Sequence, residues 1–249
     1  MIADRGSQVK IKLLTNAPKR WLGALHIPNL DSYQHQLAER RRLGAFGFAA
    51  LGQEAAPGVP GLVALLKDSN HDDVRYCSVF ALRCLGPLAS NALPSLLVCL
   101  KDRDATVQDD AVIALGEIHQ QPERVVPILA QFLKTNRSNI FVHMDTLLAL
   151  GKFGADAMPA VPAILDCVED IDKDVKSAAL RALNEIDPSA ETFLPVLLEM
   201  FRDSKVETRE MSAGYLGEHF PREAEKAGVF KEFPWVNTIH TNRVSTNAP

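Results

Sequence analysis

The sequence is poor in aromatic side chains, which make up 6% of its 249 residues. It holds four cysteines, and its formal net charge is only −4. Few aromatics beside 47% hydrophobic residues argue against a β-sandwich and for helices packed through Leu, Ala and Val. The cysteines (Cys77, Cys84, Cys99 and Cys167) form no Cys-x-x-Cys pair and sit among apolar residues. They read as small buried hydrophobes in a reducing compartment, not as disulfides or metal ligands. The N-terminus lacks a long apolar run, because Met1 to Lys12 is polar and charged. The expectation is a cytoplasmic chain with no secretory signal and no membrane span.

Charge of one sign is also missing over most of the chain, with one exception. Residues 1–42 carry eight Lys/Arg against Asp4, Asp31 and Glu39, so this head is +5 and the remainder −9. The basic triplet Arg40-Arg41-Arg42 is the densest cluster. One cluster with few aromatics nearby reads as a solvated helix face, and nucleic acid is not the expected partner.

What is present is a repeat. An apolar residue followed by Pro opens a Leu-rich run at Pro60, Pro94, Pro127, Pro162 and Pro195, spaced 34, 33, 35 and 33 apart. A second marker follows a small residue and, in most units, Leu: Ala49, Arg83, Gly116, Gly151 and Asn184, with Gly217 as a sixth. Each of the first five lies 11 residues before its proline. Two series that keep step through unequal spacings are not composition bias.

Each unit reads as two helices. The first, here called Val-type, begins near Val74, Val107, Val142 or Val175 and ends in Ala-Leu (Ala81-Leu82, Ala114-Leu115, Ala149-Leu150, Ala182-Leu183). Gly86 and Gly154 follow, where a helix end favours a residue tolerant of positive φ. The second, Pro-type helix takes its proline in the first turn, where the missing N–H costs nothing. Its apolar columns are Leu62/Leu65/Leu66, Leu96/Cys99/Leu100, Leu129/Phe132/Leu133, Ile164/Cys167/Val168 and Leu197/Met200/Phe201. A column in the Val-type helix stays small (Gly44, Ser78, Ala111, Thr146, Ala179, Ser212), which lets neighbouring helices approach. One helix pair cannot bury both its stripes alone. Stacking does so, and each buried Leu then contributes roughly 1.5–3 kcal/mol.

The pattern V-R-x-x-A-x-x-A-L with P-x-L-x-x-L-L-K-D resembles HEAT repeats, as in importins and the scaffold subunit of a protein phosphatase, over residues 40–217. The run Ser7–Gly52 and the ending Arg222–Val229 resemble uncharacterised bacterial HEAT-repeat proteins. In those a Pro-type helix precedes the segment matching Lys10–Leu14. Its absence here suggests a truncated product or fragment. The resemblance implies an all-α, right-handed solenoid of five helix pairs, with an N-terminal cap over 1–36, the solenoid over 37–230 and a partly disordered tail over 231–249.

The resemblance also implies a structural ladder of Asp68, Asp102, Thr135, Asp170 and Asp203 against Arg75, Gln108, His143, Lys176 and Arg209, broken where Thr135 and His143 stand. The acidic turns lack the glycine and spacing of a calcium loop. The seven histidines include no His-Glu dipeptide and no His-x-x-x-His, so neither the iron pattern of HEAT-fold hydroxylases nor a zinc pair is expected. No Gly-x-Ser-x-Gly, P-loop or dinucleotide fingerprint occurs. No catalytic residue, metal or cofactor is therefore expected.

In HEAT proteins the Val-type helices line the concave face. Three residues before each marker sit Phe46, Phe80, Ile113 and Leu148, and one turn earlier Tyr76 and Met144. These six are the expected partner-binding residues, a stripe fitted to a helix or extended peptide. The competing reading packs them between neighbouring helices. Two other functions remain open. One is a HEAT-fold enzyme of lyase-like or DNA-glycosylase-like type, for which Tyr76, Asp109, Asp110 and Asp145 are the available groups. The other is nucleic-acid binding by the basic head.

Overall fold

The structure is a computed structural model, and it describes residues 44, 47, 48, 50–68, 71–170, 172–187, 189, 191–203 and 205–237. The expected 1–36 cap, the Arg40–Arg42 triplet, Phe46 and the tail beyond residue 237 lie outside them.

The apolar columns fold as helices in strict alternation. Pro-type helices are α1 (Val59–Leu65), α3 (Leu93–Cys99), α5 (Pro122–Thr135), α7 (Val161–Val168) and α9 (Phe193–Met200). Val-type helices are α2 (Asp72–Leu85), α4 (Ala105–Ile118), α6 (Ile140–Lys152), α8 (Lys173–Ile186) and α10 (Val206–His219). Two short helices, α11 (Pro221–Ala227) and α12 (Val229–Glu232), follow. The architecture is the all-α repeat solenoid expected from the pattern. Its core is one continuous apolar cluster from Phe48 to Val236. Leu62, Leu96, Leu129, Ile164 and Leu197, the leading members of the Pro-type columns, are all buried in it.

Local chemistry explains the turns. Gly52, Gly86 and Gly154 take φ near +52°. Each opens a seven-residue 3₁₀ segment that leads into a Pro-type helix (Gly52–Gly58, Gly86–Ala92, Gly154–Ala160). The third unit departs from the expectation. His119 stands in the glycine column with φ 49°, Gln121 follows at 51°, and a helix starts at once on Pro122. Pro127, expected in a first turn, therefore lies inside α5. The strain falls on non-glycine residues, and the His119 ring is steadied edge-on against Phe153 at 5.0 Å. The starts of Val-type helices are capped by Asp104, Asn139 and Asp172, whose side chains accept N–H groups of the first turn.

The ladder forms, with a shifted partner. Arg75 is buried and donates from Nε and Nη2 to both oxygens of Asp102, at 2.7 and 2.8 Å, while Nη1 reaches the Asp68 carbonyl at 2.8 Å. The pair thus joins one unit to the next. In the middle, Gln108 holds the Asp102 carbonyl at 2.6 Å, and the His143 ring lies 3.4 Å from the Asn136 carbonyl and 3.3 Å from Cys167 Sγ. Burial lowers the His143 pKa, so the ring stays neutral there.

The run Asp72–Cys99 is apolar and long enough by composition to cross a membrane. Gly86 folds it into α2 and α3, which bury their apolar faces in the core.

Val-type helices pack most closely on one another: α2 on α4, α4 on α6 and α6 on α8. A Cβ on Gly116 would lie 3.0 Å from Ala149 Cα, and one on Gly151 would lie 3.3 Å from Ala182 Cα. At the next joint the equivalent pair is Asn184 and Tyr215. Two bulky groups replace two small ones, and the backbones of α8 and α10 stand apart, unlike those of the three joints before. The Asn184 Oδ1 atom is sealed there without a hydrogen-bond partner. Beyond this joint, Phe193 is enclosed by Tyr215, His219 and Phe220. Packing continues through the buried Val236.

Two outcomes follow from these joints. Gly86 sits at φ 53°, ψ −132°, a region essentially closed to other residues, so Gly86→Ala will lower the unfolding free energy by about 1–3 kcal/mol in a denaturant titration. In native-state hydrogen exchange, amides of α10 will exchange through a lower-energy opening than those of α4 and α6; equal protection would refute this.

Candidate functional site

A stack bends toward the layer whose members lie closest together. The Val-type layer is the close one, and Pro-type neighbours meet sparsely. The Val-type helices therefore line the concave side, and Pro-type side chains such as Val98, 71% exposed, point outward.

On the concave side the six residues expected to bind a partner are distributed as follows. Phe80 is buried, at 6% exposure. Tyr76, Ile113, Met144 and Leu148 are half-buried. Phe46 lies outside the described residues. Tyr76 and Phe80 are ring neighbours on α2, their centroids 6.3 Å apart. Both Tyr76 and Met144 pack against the core cluster. Phe80 is thus a floor, and the other four show partial faces above it.

Beside this stripe the stacking gathers charged groups from three consecutive Val-type helices. From α2, Arg83 lays its guanidinium carbon 4.6 Å from the Phe80 ring centroid and donates from Nη1 to Asp110 Oδ1 at 2.5 Å. From α4 come Asp109 and Asp110, and from α6 comes Asp145, hydrogen-bonded to Asp109. Burial pushes the Asp109 carboxyl up to about 7, reinforced by the neighbouring Asp145 and Asp110 and opposed by Arg83. Burial also pushes Asp110 up to about 6, with Arg83 and a hydrogen bond from Tyr76 opposing and Asp145 assisting. Asp109 Oδ1 and Asp110 Oδ2 are both sealed from solvent, and Tyr76 is hydrogen-bonded to Asp110 as Asp145 is to Asp109. Among the described residues, no group of three His, Cys, Asp or Glu side chains is placed to hold a metal ion.

A shallow recess of about 440 Å³ adjoins the cluster, lined by His71, Asp72, Asp73, Tyr76, Asp104 and Thr106. Tyr76 thus stands between two acidic zones. Arg83 was visible in the sequence only as a repeat marker. The signal that reveals its role is a spacing: Arg75–Asp102 and Arg83–Asp110 are both separated by 27 residues.

Residues 59–142 match the family model described as HEAT repeats. The chain is an α-helical repeat solenoid, similar over that stretch to HEAT repeats. The particular relatives are these. The curated protein "Uncharacterized phycocyanin operon protein Y" of Pseudanabaena tenuis is 29% identical over 161 residues, which is 62% of this chain. The match spans 36% of that protein's length. Among solved structures, an engineered protein superposes with a TM-score of 0.57 at 18% identity, covering 89% of this chain and 97% of its own. The complex of CpcE and CpcF of phycocyanin lyase from Nostoc gives a TM-score of 0.49 at 23% identity, covering 78% of this chain and 79% of that one.

The carboxyl cluster carries its own test. A carboxyl whose folded pKa is raised contributes stability that is complete below its unfolded value, near 3.8 for Asp109, and is lost as pH rises through about 7. Asp109→Asn will therefore raise the melting temperature by roughly 2–4 °C or more at pH 8, by less at pH 5, and leave it nearly unchanged only below about pH 3.8. A wild-type/variant difference independent of pH would sink this account.

Proposed function

We propose that this solenoid is a non-enzymatic scaffold that binds a protein or peptide partner on its concave face. The observation that carries this reading is the run of partly exposed apolar side chains Tyr76, Ile113, Met144 and Leu148 across three adjacent Val-type helices, above the Phe80 floor. Helical repeats present such grooves to helices and extended segments. In the sequence, Phe46 holds the same repeat position one unit earlier. The four cysteines are free thiols, which supports a reducing, cytoplasmic setting.

A second reading, a lyase-like enzyme, draws on one specific feature. Asp109 keeps a proton up to about pH 7, as a general acid requires, and a relative's printed name places it in a phycocyanin operon. Incubating the chain with a phycocyanin apo-subunit and its free chromophore, and following the visible spectrum, tests that activity. A spectral change that Asp109→Asn abolishes would favour it over the scaffold.

The scaffold reading is tested by partner capture from the native host. Met144→Glu with Leu148→Glu will abolish capture with helicity unchanged by circular dichroism. Val98→Glu, on the convex side, will leave capture intact. Equal capture by all three proteins would overturn the reading.

A further inference from the structure

Helix α6 is apolar on two faces. Its core side buries Val142, Thr146, Leu147 and Leu150. Opposite them stand Phe141, Met144 and Leu148, at the i, i+3 and i+7 spacing that places side chains on one face of a helix. Phe141 is 76% exposed and Ile140 beside it 43% exposed, while Met144 and Leu148 are half-buried. In the other units the repeat position of Phe141 holds Asp73, Thr106, Asp174 and Glu207. A large apolar side chain that stays in water adds nothing to folding. The backbone under it is nevertheless well anchored. Asn139 caps the helix, and its Oδ1 accepts the N–H groups of Phe141 at 3.2 Å and of Val142 at 3.4 Å. Phe141 is thus presented on ordered helix, and covering it costs little backbone entropy.

Size selects the occupant. Ile140, Phe141, Met144 and Leu148 together expose on the order of 300 Å² of apolar surface. A stable dimer needs about 800 Å² on each partner, so the patch is too small to hold a second copy of this chain. It is long and narrow, running for about 10 Å along the α6 axis from Phe141 to Leu148. At the equivalent positions of the neighbouring helices stand exposed polar residues, Thr106 on α4 and Asp174 and Ser177 on α8. A narrow apolar stripe with polar borders fits the apolar face of one short amphipathic helix.

We infer that Phe141 anchors the partner on α6: an amphipathic helix of the partner protein lies along α6, with its apolar face on Phe141, Met144 and Leu148. This rests on the scaffold reading and names the partner's shape and its principal contact. The large exposed ring supplies most of the area that is covered on binding, as anchors of such interfaces do.

The test uses the full chain and a capped synthetic peptide of Ala, Gln and Leu, locked as a helix by a lactam, with leucines at i, i+3, i+4 and i+7. A second peptide has the same composition with its leucines scrambled. Binding is followed by NMR shifts of backbone amides. The expected result is saturable shifts centred on residues 140–148 with the first peptide and none with the second. Phe141→Asp should weaken binding by about tenfold or more, with an unchanged melting curve. This variant keeps its fold, because the side chain lies outside the core and an acid suits the first turn of a helix. Val98→Asp, an exposed apolar residue of the convex side, should bind the peptide as the wild type does. Absence of saturable shifts, shifts centred elsewhere, equal binding of the scrambled peptide or an unaffected Phe141→Asp overturns the inference. So does binding to vesicles of phosphatidylcholine and phosphatidylglycerol that Phe141→Asp abolishes, since the patch would then serve a lipid surface.

The two readings fail separately. If capture from the host depends on Met144 and Leu148 while Phe141→Asp leaves capture and peptide binding intact, only the inference about Phe141 falls. If Phe141→Asp abolishes peptide binding while Met144→Glu with Leu148→Glu leaves capture intact, the apolar stripe of the scaffold reading falls.

Discussion

The close approach of one Val-type helix to the next is the constraint on which the rest of the molecule depends. Gly116 against Ala149 and Gly151 against Ala182 leave no room for a further carbon. That spacing bends the stack toward the Val-type layer and gives it a concave side. It also brings Arg83, Asp110 and Asp145, one from each of three successive units, into a single cluster. No single helix pair contains that site. The burial that raises the carboxyl pKa values of Asp109 and Asp110 is a by-product of the same close packing, because low-polarity neighbours disfavour charge.

Much of this was legible in the sequence because repeats reduce the problem to columns. The proline and Ala-Leu markers located α1 to α10, and the columns led by Leu62 and Leu96 are core as their spacing required. The sequence misplaced Pro127, since local pattern gave no sign that Pro122 would start α5 early once His119 replaced the turn glycine. The site was legible only in part. Tyr76, Asp109, Asp110 and Asp145 could be assigned to the Val-type face from periodicity. The depth of Phe80 and the reach of Arg83 depend on how neighbouring helices cross, and one helix's own period does not contain that. The 27-residue offset shared by two ion pairs shows that a rule across units would have recovered Arg83.

The ladder and the cluster use the same chemistry to different ends. Arg75 is buried and fully engaged by Asp102 and the Asp68 carbonyl. Removing either partner would strand a buried charge, which is why such pairs hold register between units. The cluster eight residues further along α2 is unbalanced, with three carboxylates to one guanidinium. A protein built only for stability would have an apolar column there, as it does at Val79, Val112 and Leu147 on the same helices. The imbalance leaves the cluster's carboxyls raised in pKa, whereas the ladder's Asp102 is lowered by its Arg75 partner.

The joint between α8 and α10 has a mechanical consequence. A solenoid whose neighbours touch backbone to backbone transmits bending along its length as a stiff rod. Where α8 and α10 stand apart, no such backbone contact ties the last Val-type helix to the stack. The molecule is therefore an uneven spring, stiff from α2 to α8 and compliant beyond. A long object gripping the concave side could draw the last unit inward without disturbing the carboxylate cluster.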